Sequence, residues 1–462
     1  MMKTLLCGLA LALLPLGAHA TDEARLIERG RMLSIAADCM ACHTQAPSGK
    51  PYAGGYPIQS PLGTIYASNI TPSTRAGIGG YSLEDFARAV RQGVRPDGSR
   101  LYPAMPYTSY TLITDEDIQA LYTYFMKGVQ PVDEPSPATD LPFPFGIRAS
   151  MRVWNALFLE DKRFTPDPGQ SAEVNRGAYL ARALAHCSSC HTPRNALMAE
   201  DPKRPLGGGM VGPWHAPNIS SDPQAGIGGW TNEEIVQYLR TGRAAGKGQA
   251  GGSMAEAVEH SFQHMPQADL AAIAAYLKST PPVPADAAAP AAYARGAAIS
   301  PEAGLRGADP QTANLSLKSG AALFSGYCAS CHQAGGQGSA GQAYPSLFHN
   351  TATGAGSASN LIAAILYGVD RNVGGQHVLM PRFDAKSYVQ PLSDAQIALI
   401  ANYVLANYGN ARLSVTPDDV RQARQGGPAP LLARAQPYML PAAVTALLIV
   451  LLGLLLLRRR RA

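Results

Sequence analysis

Cys39-Met40-Ala41-Cys42-His43 is a grouping suited to one chemistry. Two thiols three positions apart can add to the two vinyl groups of a porphyrin. The histidine that follows is then held beneath the iron. The spacing recurs at Cys187-Ser188-Ser189-Cys190-His191 and at Cys328-Ala329-Ser330-Cys331-His332. Six of the seven cysteines are used this way, and the seventh, Cys7, lies in a leader segment expected to be removed. No thiol is left for a disulfide in the mature chain. The pattern predicts three covalently bound c-type haems, with His43, His191 and His332 as iron ligands. A structural zinc site needs cysteines and histidines grouped in fours, which three separate modules do not offer.

What such a haem does depends on the far side of the iron. A filled sixth position gives an electron carrier, whereas an open one binds or activates small molecules. Three segments align without gaps as the last helix of each module, beginning at Asp117, Asp269 and Gln396 and carrying Tyr124, Tyr276 and Tyr403. Counted back from those starts, Met105, Met254 and Met380 stand at comparable distances and are the expected ligands. Met265 stands too close to its helix, although Met265-Pro266 resembles Met105-Pro106 and Met380-Pro381. His260 and His264 are the remaining alternatives to Met254. Met126, Met151 and Met210 are read as core fillers. His186, His215, His349 and His377 have no counterparts in the other modules and are read as surface or satisfied polar residues. No general base, nucleophile or open metal site is assembled.

The elements that must position these groups can be traced along the chain. Residues 1–20 read as a secretory signal: Lys3, an apolar run from Leu5 to Leu16, then Ala18-His19-Ala20. A first haem domain is expected over 21–130, with a helix at 24–38 leading to Cys39. Its second helix, Leu83 to Gln92, opens at Tyr81 or Ser82, and its third runs from Asp115 to Lys127. Residues 131–168 form a proline-rich connector followed by a linker helix. The second domain is expected over 169–280, a Pro/Ala linker over 281–314, the third domain over 315–410 and a tether over 411–437.

The first two domains echo each other beyond the haem motif. Ala67-Ser68-Asn69-Ile70 matches Ala216-Pro217-Asn218-Ile219, and Ala76-Gly77-Ile78-Gly79-Gly80-Tyr81 matches Ala225-Gly226-Ile227-Gly228-Gly229-Trp230. Such self-similarity marks duplicated modules. The glycine-rich block reads as a tight turn before a helix. It is not a phosphate loop, because no Lys-Ser/Thr follows. Gly30, Gly177 and Gly320 precede their motifs by similar distances, where a glycine permits close approach of an aromatic-bearing helix.

Residues 438–457 are apolar almost throughout and are followed by four arginines in the tail 458–462. About 20 residues span ~30 Å as a helix, which matches a bilayer core. The arginines are expected to stay cytoplasmic, so the haem domains face the periplasm from the inner membrane. The formal net charge is +5, and setting aside Arg458–Arg461 and Lys3 leaves none. A neutral body gives no electrostatic basis for nucleic-acid binding.

The helix pairs resemble the crossed terminal helices of class I cytochrome c, giving a mainly α chain of three tandem cytochrome c-like domains plus a C-terminal transmembrane helix. From signal to anchor, the chain resembles the trihaem cytochrome c subunit of bacterial membrane-bound alcohol, aldehyde, sorbitol or gluconate dehydrogenases. The resemblance rests on the three haem motifs, the two repeated blocks, Tyr102-Pro103-Ala104-Met105-Pro106-Tyr107 and Met254-Ala255-Glu256. It implies an electron-transfer subunit that anchors a large dehydrogenase subunit dependent on pyrroloquinoline quinone (PQQ), FAD or molybdenum, and delivers electrons to ubiquinone. Two other classes share the haem motif. A cytochrome c subunit of a terminal oxidase would accompany a copper or b-haem oxidase, and a multihaem enzyme such as a peroxidase would keep one sixth position open.

Overall fold

The computed structural model describes residues 16–45, 48–60, 62–284, 290–299 and 317–459. Most of the proposed leader, residues 1–15, lies outside them, as does most of the 281–314 linker. The described chain is mainly helical. Its strands form only two-stranded antiparallel hairpins.

Each haem motif follows an entering helix and precedes a closing one. In the first unit these are Leu16–Ala36 and Asp115–Thr123, the latter continued by a π turn at Tyr124–Gly128. In the second they are Ala172–Tyr179 and Gln267–Ser279, and in the third Gly320–Tyr327 and Asp394–Tyr408. The two helices meet at the predicted glycine every time. Gly30 faces the Ala120 carbonyl and Tyr124, Gly177 faces the Ala272 carbonyl and Tyr276, and Gly320 faces the Leu399 carbonyl and Tyr403. A Cβ at any of the three would enter the partner's backbone. The crossing therefore follows from the absence of a side chain.

Local sequence sets the helix ends. Leu83–Gln92 starts at Ser82, whose hydroxyl and Asp85 form a capping box, and stops at Gly93 in the left-handed region. Its counterpart, Asn232–Thr241, uses Thr231 and Glu234 at one end and left-handed Gly242 at the other. Asp394–Tyr408 opens on Ser393 and Gln396 in the same way. Each cap satisfies backbone N–H groups that the first turn leaves unpaired.

The first two units share one continuous core. Leu33, Ile113 and Phe125 join Leu180, Leu184 and Ile273 within it. Buried Asp117 joins the units by accepting from Arg29 Nε at 2.8 Å and from Tyr179 Oη at 2.5 Å. The third unit has a separate core around Leu323, Phe324, Ile397, Val404 and Tyr408. It reaches the second unit through the hairpin Val369–Val373/Gln376–Met380, where Asn372 bonds both Glu259 and Gln263. A reciprocal pair, Asn360 with the His215 backbone, closes at 2.8 and 2.9 Å.

Residues 411–437 hold a capped helix, Pro417–Arg424, that buries Val420 and Ala423 against the third core. Arg424 pairs with Asp394, and Tyr367 Oη donates to the Ala423 carbonyl. The linker helix is Ser150–Phe158, and it packs on the first unit through buried Asn155. The last helix, Leu431–Arg459, starts before the expected span and is long and apolar enough to cross a membrane.

Gly177→Ala is expected to cost about 1–3 kcal/mol, because the added methyl overpacks a helix crossing with no space for it. The measurement is the thermal unfolding midpoint of the purified protein. An unchanged midpoint would contradict the close approach.

Candidate haem centres

The three motif histidines are held alike. His43 Nδ1 lies 2.6 Å from the Ser68 carbonyl, His191 Nδ1 2.7 Å from that of Pro217, and His332 Nδ1 2.9 Å from that of Pro345. A carbonyl oxygen only accepts, so Nδ1 carries the proton and Nε2 keeps its lone pair for a metal. Burial pushes His191 down to about 4 and lowers His43 and His332 as well, so all three rings are neutral at pH 7.

This geometry explains the first repeated block. Ser68 and Pro217 are its second residues, and the asparagine that follows fixes their carbonyls. Asn69 Oδ1 accepts from the Thr71 N–H at 2.9 Å, while its Nδ2 donates to the Val132 carbonyl at 2.8 Å. Asn218 does the same with the Ser220 N–H and the Val283 carbonyl. Each asparagine thus binds the chain leaving its domain to the loop that orients the histidine. The glycine-rich block is the predicted turn: Gly77 and Gly226 sit against the Thr71 and Ser220 carbonyls. It also brings Ile78 with Tyr81, and Ile227 with Trp230, to the cavity wall.

One cavity of about 2200 Å³ runs past all three motifs. Cys39, Cys42 and His43 line it beside Met105, and Cys187, Cys190 and His191 line it beside Met254. His332 and Met380 line its third part, whereas Cys328 packs against the third core. A third of that volume, about 730 Å³, is the size of one cofactor pocket. Burial raises the thiols of Cys39, Cys187 and Cys328 to about 12, so they are neutral in these apolar surroundings. All six motif cysteines are free of disulfides. Free thiol pairs, a neutral imidazole with an available Nε2, and a thioether on one apolar cavity fit a covalently attached haem.

The two methionine candidates of the second unit lie in different surroundings. Met254 opens the helix Ser253–His260 on the cavity wall. Met265 is 2% exposed within the shared core, its sulfur 4.0 Å from Ser261 Oγ, and it is not itself among the wall residues. His260 and His264 are also off the wall, and His264 Nε2 is engaged with the Glu259 carbonyl. Met105 sits between two braces: Tyr102 Oη donates to the Phe145 carbonyl and Tyr107 Oη to Asn155 Oδ1, both at 2.8 Å. The linker segment therefore holds the Met105 loop. Met380 ends the strand Gln376–Met380.

Several residues depart from the sequence expectation. Met151, Met210 and His215 line the cavity instead of filling cores or lying on the surface. Isolated side chains carry no period that would reveal this. His186 is half-buried at the cavity wall, edge-on against Tyr110 with ring centroids 5.6 Å apart, and desolvation lowers it to about 4. Asp38 and His186, each just before its motif, adopt left-handed φ of 52° and 37°. Asp38 also keeps one buried oxygen without a partner among the described residues, and burial raises its carboxyl well above the usual range.

The chain is similar to known proteins over most of its length. A cytochrome c family profile matches residues 174–281 and 317–407. The fructose dehydrogenase cytochrome subunit of Gluconobacter japonicus is 49% identical over 428 residues, covering 92% of this chain and 87% of that one. The cytochrome c subunit of the quinone alcohol dehydrogenase of Komagataeibacter europaeus is 38% identical over 442 residues, covering 92% and 88%. The gluconate 2-dehydrogenase cytochrome c subunit of Pantoea cypripedii is 38% identical over 451 residues, covering 92% and 96%.

Met254→Leu is expected to abolish the sulfur-to-iron absorption band of one haem in three. Met265→Leu should keep every band and cost under about 1.5 kcal/mol, as volume-conserving core changes do. Visible spectra of the oxidised proteins check both, and loss of a band only in the Met265 variant would reverse the assignment.

Proposed function

The chain belongs to the cytochrome c subunits of dehydrogenase complexes, and from that premise we propose that it carries three haems and relays electrons from a partner dehydrogenase subunit to ubiquinone in the inner membrane. Bound haem supplies reversible one-electron chemistry at its iron. The chain's own residues do the rest. Cys39 with Cys42, Cys187 with Cys190 and Cys328 with Cys331 bind the porphyrins. His43, His191 and His332, with Met105, Met254 and Met380, would be the ligands to the three irons. A thioether opposite an imidazole raises the reduction potential, which suits acceptance of electrons from an organic donor's cofactor.

The observation that carries this reading is the continuity of the cavity. Side chains of all three sites wall one space, so no layer of folded protein separates successive sites. That suits a relay better than three independent reaction centres. With a methionine opposite each histidine, no position is left open for peroxide. The substrate-oxidising site belongs to the partner, whose cofactor is PQQ, FAD or a molybdenum centre. The 49% identical relative serves fructose dehydrogenase, which makes sugars the first substrates to test. The helix Leu431–Arg459 anchors the assembly, and Arg458 with the arginines after it keeps that end cytoplasmic, so the haem units face the periplasm.

Purification from mild detergent is expected to bring down a large subunit with sugar, alcohol or aldehyde dehydrogenase activity toward a ubiquinone analogue, and haem determination should return three haems per chain. A co-purifying copper or b-haem oxidase, without dehydrogenase activity, would replace this reading with the terminal-oxidase one. Ending the chain after Gln436 should move the haem protein from the membrane to the soluble fraction.

A further inference from the structure

Arg371 is the largest fully buried side chain among the described residues, with no exposed surface. It stands on the third unit's hairpin but points into the second unit. Its Nη1 donates to the Ala250 carbonyl at 2.7 Å and its Nη2 to Gln249 Oε1 at 2.9 Å, while Nε has no partner. The guanidinium lies over Gly242, whose left-handed φ of 70° leaves no Cβ in the way. Buried guanidinium groups ordinarily face a carboxylate. Among the described residues no carboxylate forms an ion pair with Arg371.

Of the neighbouring titratable groups, Glu259 and Tyr238 favour the charge and Arg243 opposes it, and none forms an ion pair with Arg371. Tyr238 is half-buried, and desolvation pushes its hydroxyl up to about 12 despite the opposing pull of Arg371, so it is neutral. Arg243 adds positive charge. Glu259 is only partly buried, and its carboxylate is spent on the Asn372 backbone and side chain. The fold thus keeps a whole positive charge out of water without an anionic partner.

Its position relative to the haem sites gives that charge a use. Gln249 and Ala250, the two groups it bonds, line the cavity and lead within four residues to Met254. Tyr238 lines the same wall. On its own strand, Val369 reaches the cavity and pairs in register with Met380. We propose that Arg371 is a fixed charge that raises the reduction potential of the haem held by His191 and Met254. This deepens the relay reading above and rests on it. Reduction lowers the charge at the iron by one, so a nearby cation favours the reduced form. In a low-dielectric interior the effect is large and poorly screened by salt. The third unit would then tune the second site, making it the point where an electron rests between entry and exit. Arg371 is a positioning residue in this scheme, because its bonds go to Gln249 and Ala250 and to none of the proposed iron ligands.

The test is a spectroelectrochemical titration of the full-length, membrane-extracted complex. Arg371→Met is expected to lower one of three midpoint potentials, with haem content and all sulfur-to-iron bands intact. Arg371→Lys keeps the charge and should restore that potential, and raising the salt concentration should leave the wild-type value in place. Should the methionine variant fail to mature, Gln249→Glu sets a carboxylate beside Nη2 and should lower the same potential. Three unshifted potentials in a mature neutralised variant would overturn the proposal, as would a lysine variant shifted as far as the methionine one. A wild-type chain with fewer than three haems would instead overturn the relay reading, before any variant is compared.

Discussion

Everything about the sites depends on a hydrogen bond from an imidazole to a main-chain carbonyl. Without it, each motif histidine is free to rotate, and either nitrogen can carry the proton. With it, Nδ1 is occupied and Nε2 is directed into the cavity. The carbonyl must itself be fixed, and in the first two units the asparagine after it does this by bonding the chain that leaves the domain. In the third unit the Pro345 carbonyl takes the role on a loop of different sequence. One physical requirement has been met by two local solutions.

The units are joined in two distinct ways. The first and second share apolar core and a buried carboxylate that accepts from both sides. The third keeps its own core and docks by a hairpin and polar pairs. Both joints bring residues to the same cavity wall. The linker Ser150–Phe158 adds a third kind of support. Its Asn155 and the Phe145 carbonyl just before it brace the Met105 loop through Tyr107 and Tyr102, although the segment's sequence reads as a connection.

Covalent haem chemistry was legible in the sequence because it needs contiguous residues in a fixed order. The helix crossings were legible too, since Gly30, Gly177 and Gly320 recur at similar distances before their motifs and close approach tolerates no side chain there. Helix ends followed from Ser82 and Ser393 and their partners three residues on. What was hidden depends on contacts between distant segments. The hairpins escaped notice because they are short and their strands carry no clean alternation. Met151 and Met210 were misread for the same reason. Whether a single methionine fills a core or faces a cavity is decided by helices elsewhere in the chain. Arg371 shows the limit most clearly: nothing beside it in sequence announces a buried charge.

The connected cavity also bears on how the molecule comes to exist. Its walls are largely apolar side chains drawn from three units, and a space of about 2200 Å³ cannot stay open and dry when nothing fills it. Bound porphyrin would fill that space with packed contacts, so haem attachment and the docking of the units are expected to stabilise each other.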